Sequence, residues 1–118
     1  MKFEKSIPIL YSKDVAKSIV FYTGKLGFEE KWEWDDPPTF GGVSKGDVEI
    51  FFSEKGQGNP GTWLFIVVDD VDEYYENIKA NGVKIVVAPN NREWNMRELV
   101  VEDPDGHIIR FGQRIECD

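Results

Sequence analysis

The single histidine of the chain, His107, lies in the segment VEDPDGHIIRFG at positions 101–112, three residues before Arg110. Histidine is the side chain best suited to act as a general base near neutral pH or to bind a transition metal. A catalytic base also needs a nucleophile or an orienting carboxylate beside it, and the sequence alone assigns neither to His107. We therefore predict that His107 is an exposed or half-exposed residue at the start of a strand.

Arg110 carries a permanent positive charge, which repels a metal ion but binds carboxylates and phosphates through a planar guanidinium. In the strand that follows the DPDG turn, Arg110 shares a face with Ile108. Two interpretations stay open. Arg110 forms an ion pair with an acid such as Glu49, or it binds an anionic group of a ligand.

The chain is rich in aromatic residues, with four Trp, four Tyr and eight Phe. Trp32 and Trp34 share one face of the segment KWEW beside several acids, and Trp94 lies in the polar segment NNREWN. Flat aromatic faces near carboxylates suit a planar, cationic ligand. The alternative for Trp32 and Trp34 is packing against a partner subunit or across a cleft. Other aromatic residues lie on faces that require burial and are predicted to be core: Phe21, Tyr22, Phe28, Phe65 and Tyr74.

The formal net charge of −8 argues against nucleic-acid binding, which requires a basic face. The same charge mildly favours the approach of cationic ligands, although solubility alone also explains it. Cys117 is the only cysteine, so the chain has no internal disulfide and no cysteine metal cluster. The N-terminal segment MKFEKS lacks the apolar core of a secretory signal, and no apolar run is long enough to span a bilayer. We predict a cytoplasmic protein without a membrane partner.

The first half of the chain reads as a strand, a helix and three further strands. Asp14 or Ser12 is the expected helix N-cap, and Gly24 or Gly27 ends the helix. The predicted strands cover 6–12, 28–34, 39–44 and 48–53.

The second half repeats this order. Asp69–Asp70 precedes a predicted helix at 71–80, which Asn81–Gly82 ends. A strand at 83–88 is expected to end at Pro89, and the turn DPDG closes a hairpin between 96–102 and 107–112. A strand at 62–68 opens this half.

The segment EKGQGNPG at 54–61 has linker composition and joins the two halves. Each half has only about fifty residues and would bury too little apolar surface alone. We therefore predict an α+β fold made of two βαβββ repeats, whose curved mixed sheets form one shared cleft. The chain, 1–118, is expected to be a single domain with modules at about 1–56 and 61–118.

Four segments, in this order, resemble the vicinal oxygen chelate superfamily, which includes glyoxalases, ring-cleaving dioxygenases, fosfomycin-resistance enzymes and bleomycin-resistance binding proteins. The segments are IPILYSKDVAKSIVFYTGKLGFE at 7–29, VEIFF at 48–52, VVDDVDEYY at 67–75 and MRELVVEDPDGHIIRFGQ at 96–113. The nearest likeness is to bleomycin-resistance proteins. Their DPDG turn commonly precedes an apolar strand carrying Arg, where metal-dependent members commonly carry Glu. The pair Glu93–Trp94 and the segment TWLF at 62–65 are similar to those proteins as well.

The resemblance places the metal-ligand positions of the superfamily's enzymes at Ile7, Phe51, Trp63 and Arg110. Glu49 or Ile50 replaces Phe51 if the register differs by one or two residues. Three apolar side chains and one cation do not hold a divalent ion. The resemblance thus implies no metal, no other cofactor and no catalytic residue. A carboxylate-only Mg²⁺ or Ca²⁺ site stays open, since acids are plentiful in turns and helix caps.

These observations favour a metal-free binding protein that sequesters a flat, cationic aromatic ligand in an aromatic, acidic cleft. The ligand would be a bleomycin-like antibiotic or an unknown metabolite, and the resemblance implies a homodimer. The candidate ligand-binding residues are Trp32, Trp34, Phe40, Phe51, Trp63, Trp94 and Arg110. One alternative is a glyoxalase-like lyase or isomerase, or a dioxygenase, whose metal ligands lie at positions other than those aligned. Another is a regulatory or interaction domain whose cleft is filled by its own side chains.

Overall fold

The computed structural model describes residues 1–55 and 57–115, so Cys117 lies outside the described residues. The chain divides into two compact units, Met1–Pro60 and Gly61–Asp118. Each unit contains a strand, a helix and three further strands, and each forms one four-stranded mixed sheet. The predicted α+β fold with two βαβββ repeats is therefore confirmed. The shared cleft and the single-domain organisation stay predictions.

The first unit forms a sheet in the order β1-β4-β3-β2, with β1 parallel to β4 and the other pairs antiparallel. Its elements are β1 Ile9–Tyr11, α1 Val15–Gly24, β2 Glu30–Trp34, β3 Phe40–Lys45 and β4 Val48–Ser53.

Helix α1 covers one face of this sheet. Asp14 caps it as predicted, because its carboxylate accepts a hydrogen bond from the Lys17 backbone N–H at 3.2 Å. The ring of Tyr22 in α1 lies 4.9 Å from the ring of Phe52 in β4. Strand residues that point toward the helix are buried, namely Leu10, Val43, Ile50 and Phe52. Because side chains alternate along a strand, the residues between them point to the opposite face.

The second unit forms a sheet in the order β5-β8-β7-β6, with β5 parallel to β8. Its elements are β5 Trp63–Val67, α2 Val71–Ile78, a 3₁₀ turn at Lys79–Asn81, β6 Lys84–Asn91, β7 Met96–Glu102 and β8 Ile108–Arg114.

Helix α2 packs on this second sheet in the same manner. Asp70 is the predicted N-cap and accepts from the Glu73 backbone N–H at 3.0 Å. Gly82 ends the helical segment with φ of 81°, a left-handed conformation that glycine adopts without strain. The rings of Tyr74 and Phe111 lie 4.6 Å apart, which places α2 on the face of β8 that carries Phe111.

The two strand boundaries that differ most from the prediction both lie beside a proline. The first strand begins at Ile9, because Pro8 has no N–H to donate; its carbonyl still accepts from the Phe51 backbone N–H at 3.0 Å. Strand β6 continues through Pro89 to Asn91. It is the edge strand of its sheet, and its pairing with β7 contains register shifts, so a missing N–H is tolerated there.

Within the described part of the chain, no helix has both the length and the apolarity needed to cross a bilayer.

Candidate functional site

The first sheet carries a cluster of three aromatic rings, which we call the aromatic face, on the side away from α1. It consists of Trp32, Phe40 and Phe51. Their ring centroids lie 5.4 Å apart for Trp32 and Phe40, 5.0 Å for Trp32 and Phe51, and 5.6 Å for Phe40 and Phe51. These separations lie within the range in which aromatic pairs attract each other. Each ring is therefore held in place by the other two, while Trp32 keeps 37% of its surface exposed.

Gly42 provides the space in which the Trp32 ring lies. In the register of the sheet, Gly42 is opposite Trp32 on one side and Phe51 on the other. A Cβ atom at Gly42 would lie only 2.6 Å from the Trp32 indole nitrogen and 2.9 Å from a Phe51 ring carbon. The absence of a side chain at this position thus allows the two large rings to meet across β3.

The aromatic face has acidic neighbours. Trp34 lies on the same side of β2 as Trp32, pairs in register with Phe40 and is largely exposed. Glu49 lies on the same side of β4 as Phe51, and its carboxylate binds Lys5 at 2.7 Å. In the described part of the chain, the ion pair of Glu49 is thus with Lys5, within its own unit.

The second unit contains a pocket of about 270 Å³ on the face of its sheet away from α2. Its lining residues are Trp63, Val86, Val87, Arg92, Trp94, Val100 and Arg110. The sheet register explains the floor of the pocket, because Arg110 pairs with Val100, and Val100 pairs with Val87. Three predicted ligand-binding residues, Trp63, Trp94 and Arg110, are thereby brought together.

A buried carboxylate organises one wall of this pocket. Glu98 is completely buried, and its Oε1 accepts from Arg110 Nε at 2.8 Å and lies 2.7 Å from the terminal nitrogen Nη2 of Arg110. Its other oxygen, Oε2, accepts from the Trp94 indole N–H at 2.6 Å. Charge-assisted bonds of this kind are stronger and more directional than neutral ones. One carboxylate thus fixes both a cationic and an aromatic side chain.

The guanidinium of Arg110 also contacts two aromatic rings. Its central carbon lies 5.1 Å from the centroid of Phe65 and 5.5 Å from that of Trp94, both within the range of cation–π attraction. Phe65 was predicted to be core, which is wrong, since it is exposed on the pocket side of β5. A Cβ at Gly112 would collide with the Phe65 ring, so glycine is needed for this arrangement.

His107 is completely buried, so the prediction of an exposed or half-exposed residue is wrong. Its Nδ1 accepts from the Thr62 backbone N–H at 2.9 Å, which places the proton of the neutral ring on Nε2. Its own backbone N–H donates to Asp103 Oδ1 at 2.9 Å. His107 therefore joins the DPDG turn to the start of β5, and its role is structural.

The sequence did not single out Glu98 or Arg92. A usable signal for Glu98 was present, because counting residues back from the DPDG turn pairs Val100 with Arg110. Glu98 is then the diagonal neighbour of Arg110 on the same face, within reach of a long side chain. Arg92 had no comparable signal, since it follows β6 in a segment without a regular period.

The donor set of the superfamily's metal enzymes is missing from the described part of the chain. There, no group of three or more His, Cys, Asp or Glu side chains is arranged to hold a metal ion. Of the alternatives to Phe51, Ile50 is buried beneath α1, and Glu49 is bound to Lys5. The Glu98 carboxylate is taken by Arg110 and Trp94. These residues do not fit a catalytic metal, so we derive no metal-dependent step for a lyase or dioxygenase.

Residues 7–111 match the family model described as Glyoxalase/Bleomycin resistance protein/Dioxygenase superfamily. The chain belongs to this superfamily. Among curated proteins it is 31% identical to a bleomycin resistance protein of Geobacillus stearothermophilus, with 95% of this chain and 98% of the relative covered. It is 30% identical to the uncharacterized protein YraH of Bacillus subtilis, over 86% of this chain and 91% of the relative.

Solved structures agree with the fold. One solved structure is that of the bleomycin-binding protein of the bleomycin producer Streptomyces verticillus, crystallised with copper(II)-bleomycin. It is 27% identical to this chain and superimposes with a TM-score of 0.76. The superposition covers 98% of this chain and 99% of that protein. TioX from Micromonospora has a TM-score of 0.81 at 18% identity, with coverage of 96% and 100%, which shows similarity of fold alone.

Proposed function

We propose that this chain is a metal-free binding protein of the bleomycin-resistance type. It sequesters a flat, cationic aromatic ligand, either a bleomycin-like antibiotic or an unknown metabolite. The observation that carries the proposal is the presence of two preformed aromatic surfaces: the aromatic face and the pocket lined by Trp63 and Trp94. The bleomycin resistance proteins and the bleomycin-binding protein to which the chain is similar support it.

Preformed rings favour binding because a ligand then does not have to order them. Holding large side chains in place before the ligand arrives removes part of the entropy loss of association. Trp32 is fixed by Phe40 and Phe51, and Trp94 is fixed by Glu98. Sequestration requires only this affinity, with no proton transfer and no nucleophile.

The charge of the chain supports a cationic ligand at the aromatic face. The net charge of −8 steers cations toward the protein. Glu49, on the same face as Phe51, binds the cation of Lys5 at 2.7 Å, which shows that a carboxylate beside the aromatic face accepts an ammonium group. As part of the same proposal, the protein is a cytoplasmic homodimer. Light scattering of the purified chain measures the dimer directly, and a monomer at all concentrations would contradict that part.

The test is a calorimetric titration of the purified, metal-stripped protein with metal-free bleomycin, repeated with copper(II)-bleomycin. We expect saturable binding near one ligand per chain. Trp32→Ala and Trp94→Ala should each weaken binding by about tenfold, the effect of losing roughly 1.4 kcal/mol of ring contact. Tyr75→Ala removes an aromatic ring from α2, on the opposite side of the second sheet, and serves as the matched control. No heat and no rise in Tm with either form of bleomycin would refute the antibiotic part of the proposal.

A further inference from the structure

One residue that lines the pocket of the second unit carries a buried donor without an acceptor. Arg92 lines the pocket, and its Nε is buried and has no hydrogen-bond partner among the described residues. Its backbone is fixed by a hydrogen bond of 2.7 Å to the Met96 carbonyl, and its guanidinium carbon lies 5.7 Å from the Trp94 ring centroid. The side chain is therefore held beside the pocket rather than extended into water.

A buried, unpaired guanidinium N–H is unusual. Arginine does not lose its proton in proteins, and a buried donor without an acceptor destabilises the structure. Buried polar atoms are otherwise almost always paired, so an exception calls for an acceptor that the described residues do not supply, such as a water, an ion or a ligand group. The guanidinium of Arg110 is paired with Glu98, and that of Arg97 is paired with Asp72 at 2.8 Å. Arg92 Nε differs from both.

The local charge of the pocket indicates what kind of group completes it. The lining contains two guanidinium groups, Arg92 and Arg110, and the one carboxylate bonded within its wall is Glu98. Since Glu98 neutralises Arg110, the pocket retains the positive charge of Arg92. This differs from the acidic cleft expected from the sequence and favours an anionic or strongly accepting group at this position.

The size of the pocket limits the ligand group further. Sites that enclose a whole drug-sized ligand have volumes of roughly 300–1,000 Å³. The pocket, at about 270 Å³, falls just below that range and suits one planar group rather than an entire large ligand. Trp63 and Trp94 supply flat surfaces for such a group.

We propose that Arg92 and Trp94 form a subsite for an aromatic carboxylate, or an equivalent planar acyl group, whose oxygens accept hydrogen bonds from the Arg92 guanidinium. The aromatic ring lies against Trp94 or Trp63. This inference rests on the proposed function and deepens it, because it names the chemistry of one end of the ligand.

Two small probes that share one ring system test the subsite. 2-Naphthoate carries a carboxylate, whereas 2-naphthylmethylammonium carries a cation and no acceptor. Binding is followed by NMR of the four tryptophan indole N–H groups, assigned with single Trp→Phe variants. We expect 2-naphthoate to bind the more tightly of the two and to shift the indole signal of Trp94.

Variants with an unchanged net charge separate the directed hydrogen bond from charge alone. Arg92→Lys removes the Nε donor, keeps the positive charge and should weaken 2-naphthoate binding by about tenfold, equivalent to 1.4 kcal/mol. It should leave the ammonium probe unaffected. Arg97→Lys, at an arginine bound to Asp72, is the matched control and should change neither.

The outcomes distinguish this inference from the proposed function. Equal binding of the two probes, or wild-type affinity for 2-naphthoate in Arg92→Lys, would overturn the subsite. If neither probe binds at millimolar concentration while bleomycin does, the binding function stands and the assignment of Arg92 is wrong. If 2-naphthoate binds in an Arg92-dependent manner while bleomycin does not bind, the subsite is supported and the proposal that the ligand is a bleomycin-like antibiotic is refuted.

Discussion

Replacing Glu98 by leucine should destabilise the protein strongly, because it leaves a guanidinium without its counter-ion. In the native chain the fully buried carboxylate accepts bonds from Arg110 at 2.8 Å and from Trp94 at 2.6 Å. Breaking a buried ion pair by removing one partner costs about 3–5 kcal/mol. Arg110 keeps 32% of its side chain exposed and regains some hydration, so we expect the lower end, about 3 kcal/mol. For a chain of this length that corresponds to a fall in Tm of roughly 10–15 °C.

The assay is a double-mutant cycle measured by urea unfolding, with far-UV circular dichroism and tryptophan fluorescence as independent probes. Arg110→Met leaves the Glu98 carboxylate buried without its cation and should also cost about 3 kcal/mol or more. The double variant, Glu98→Leu with Arg110→Met, replaces the pair by apolar groups. It should lie within about 1 kcal/mol of the wild type, since such replacements are often neutral.

Additivity would refute this reasoning. If the two single changes sum to the double within about 0.5 kcal/mol, Glu98 and Arg110 are energetically independent, and the carboxylate is not what holds the wall of the pocket. A Glu98→Leu variant as stable as the wild type would have the same meaning. Fluorescence adds a local readout. Trp94, which is 54% exposed, loses the hydrogen bond to Glu98 and should change its emission.

Two further predictions concern the aromatic face and a surface ion pair. Gly42→Ala should displace the Trp32 ring and weaken bleomycin binding without removing any aromatic residue. Gly24→Ala is the control, because an added Cβ there meets nothing within 4 Å, and it should leave the titration unchanged. Equal affinities of the two variants for bleomycin would show that the position of Trp32 is irrelevant to binding. Hydrogen bonds from the Arg97 guanidinium hold the pKa of Asp72 in the folded protein below its ordinary value. The ion pair therefore stabilises the fold fully at a pH above the pKa of Asp72 in the unfolded chain. This stabilisation is lost as the pH falls through the lower pKa of Asp72 in the folded protein. Carboxyl NMR should show Asp72 titrating at higher pH in Arg97→Gln, and an unchanged titration would exclude the guanidinium as the cause.

The fold was predictable because its signals are local. Asp14 and Asp70 each stand one residue before an apolar helical pattern and accept the bond expected of an N-cap. The DPDG turn fixes its own geometry, since Asp103 Oδ1 accepts from the backbone of Asp105 and Gly106 takes a positive φ. Such features depend on neighbours in sequence, so one chain without relatives suffices to find them.

The partners within the pocket were harder to predict because they depend on register across strands. Burial of His107 follows from its contact with Thr62, which is 45 residues away in sequence. Phe65 is exposed because α2 covers the opposite face of β5. The alternating pattern of this strand is compatible with burial of either face, so the sequence did not decide between them. Arg92 lies beyond a strand that continues through a proline, in a segment whose position no periodicity fixes. The resemblance to the superfamily and the aromatic composition singled out Trp63, Trp94 and Arg110 but not the carboxylate that holds two of them.

The net charge of a chain and the charge at one of its pockets are different quantities, and for the pocket of the second unit they have opposite signs. The value of −8 acts at long range and is screened within about 8–10 Å at physiological salt, so it affects encounter more than contact. At contact the immediate side chains decide. Glu49 lies beside the aromatic face, whereas Arg92 leaves the pocket of the second unit positive. A ligand selected only for positive charge would be attracted to the protein and then disfavoured at Arg92. A ligand with both a cationic group and a planar end that accepts hydrogen bonds would be favoured at both stages, at encounter by its charge and at Arg92 by its planar end.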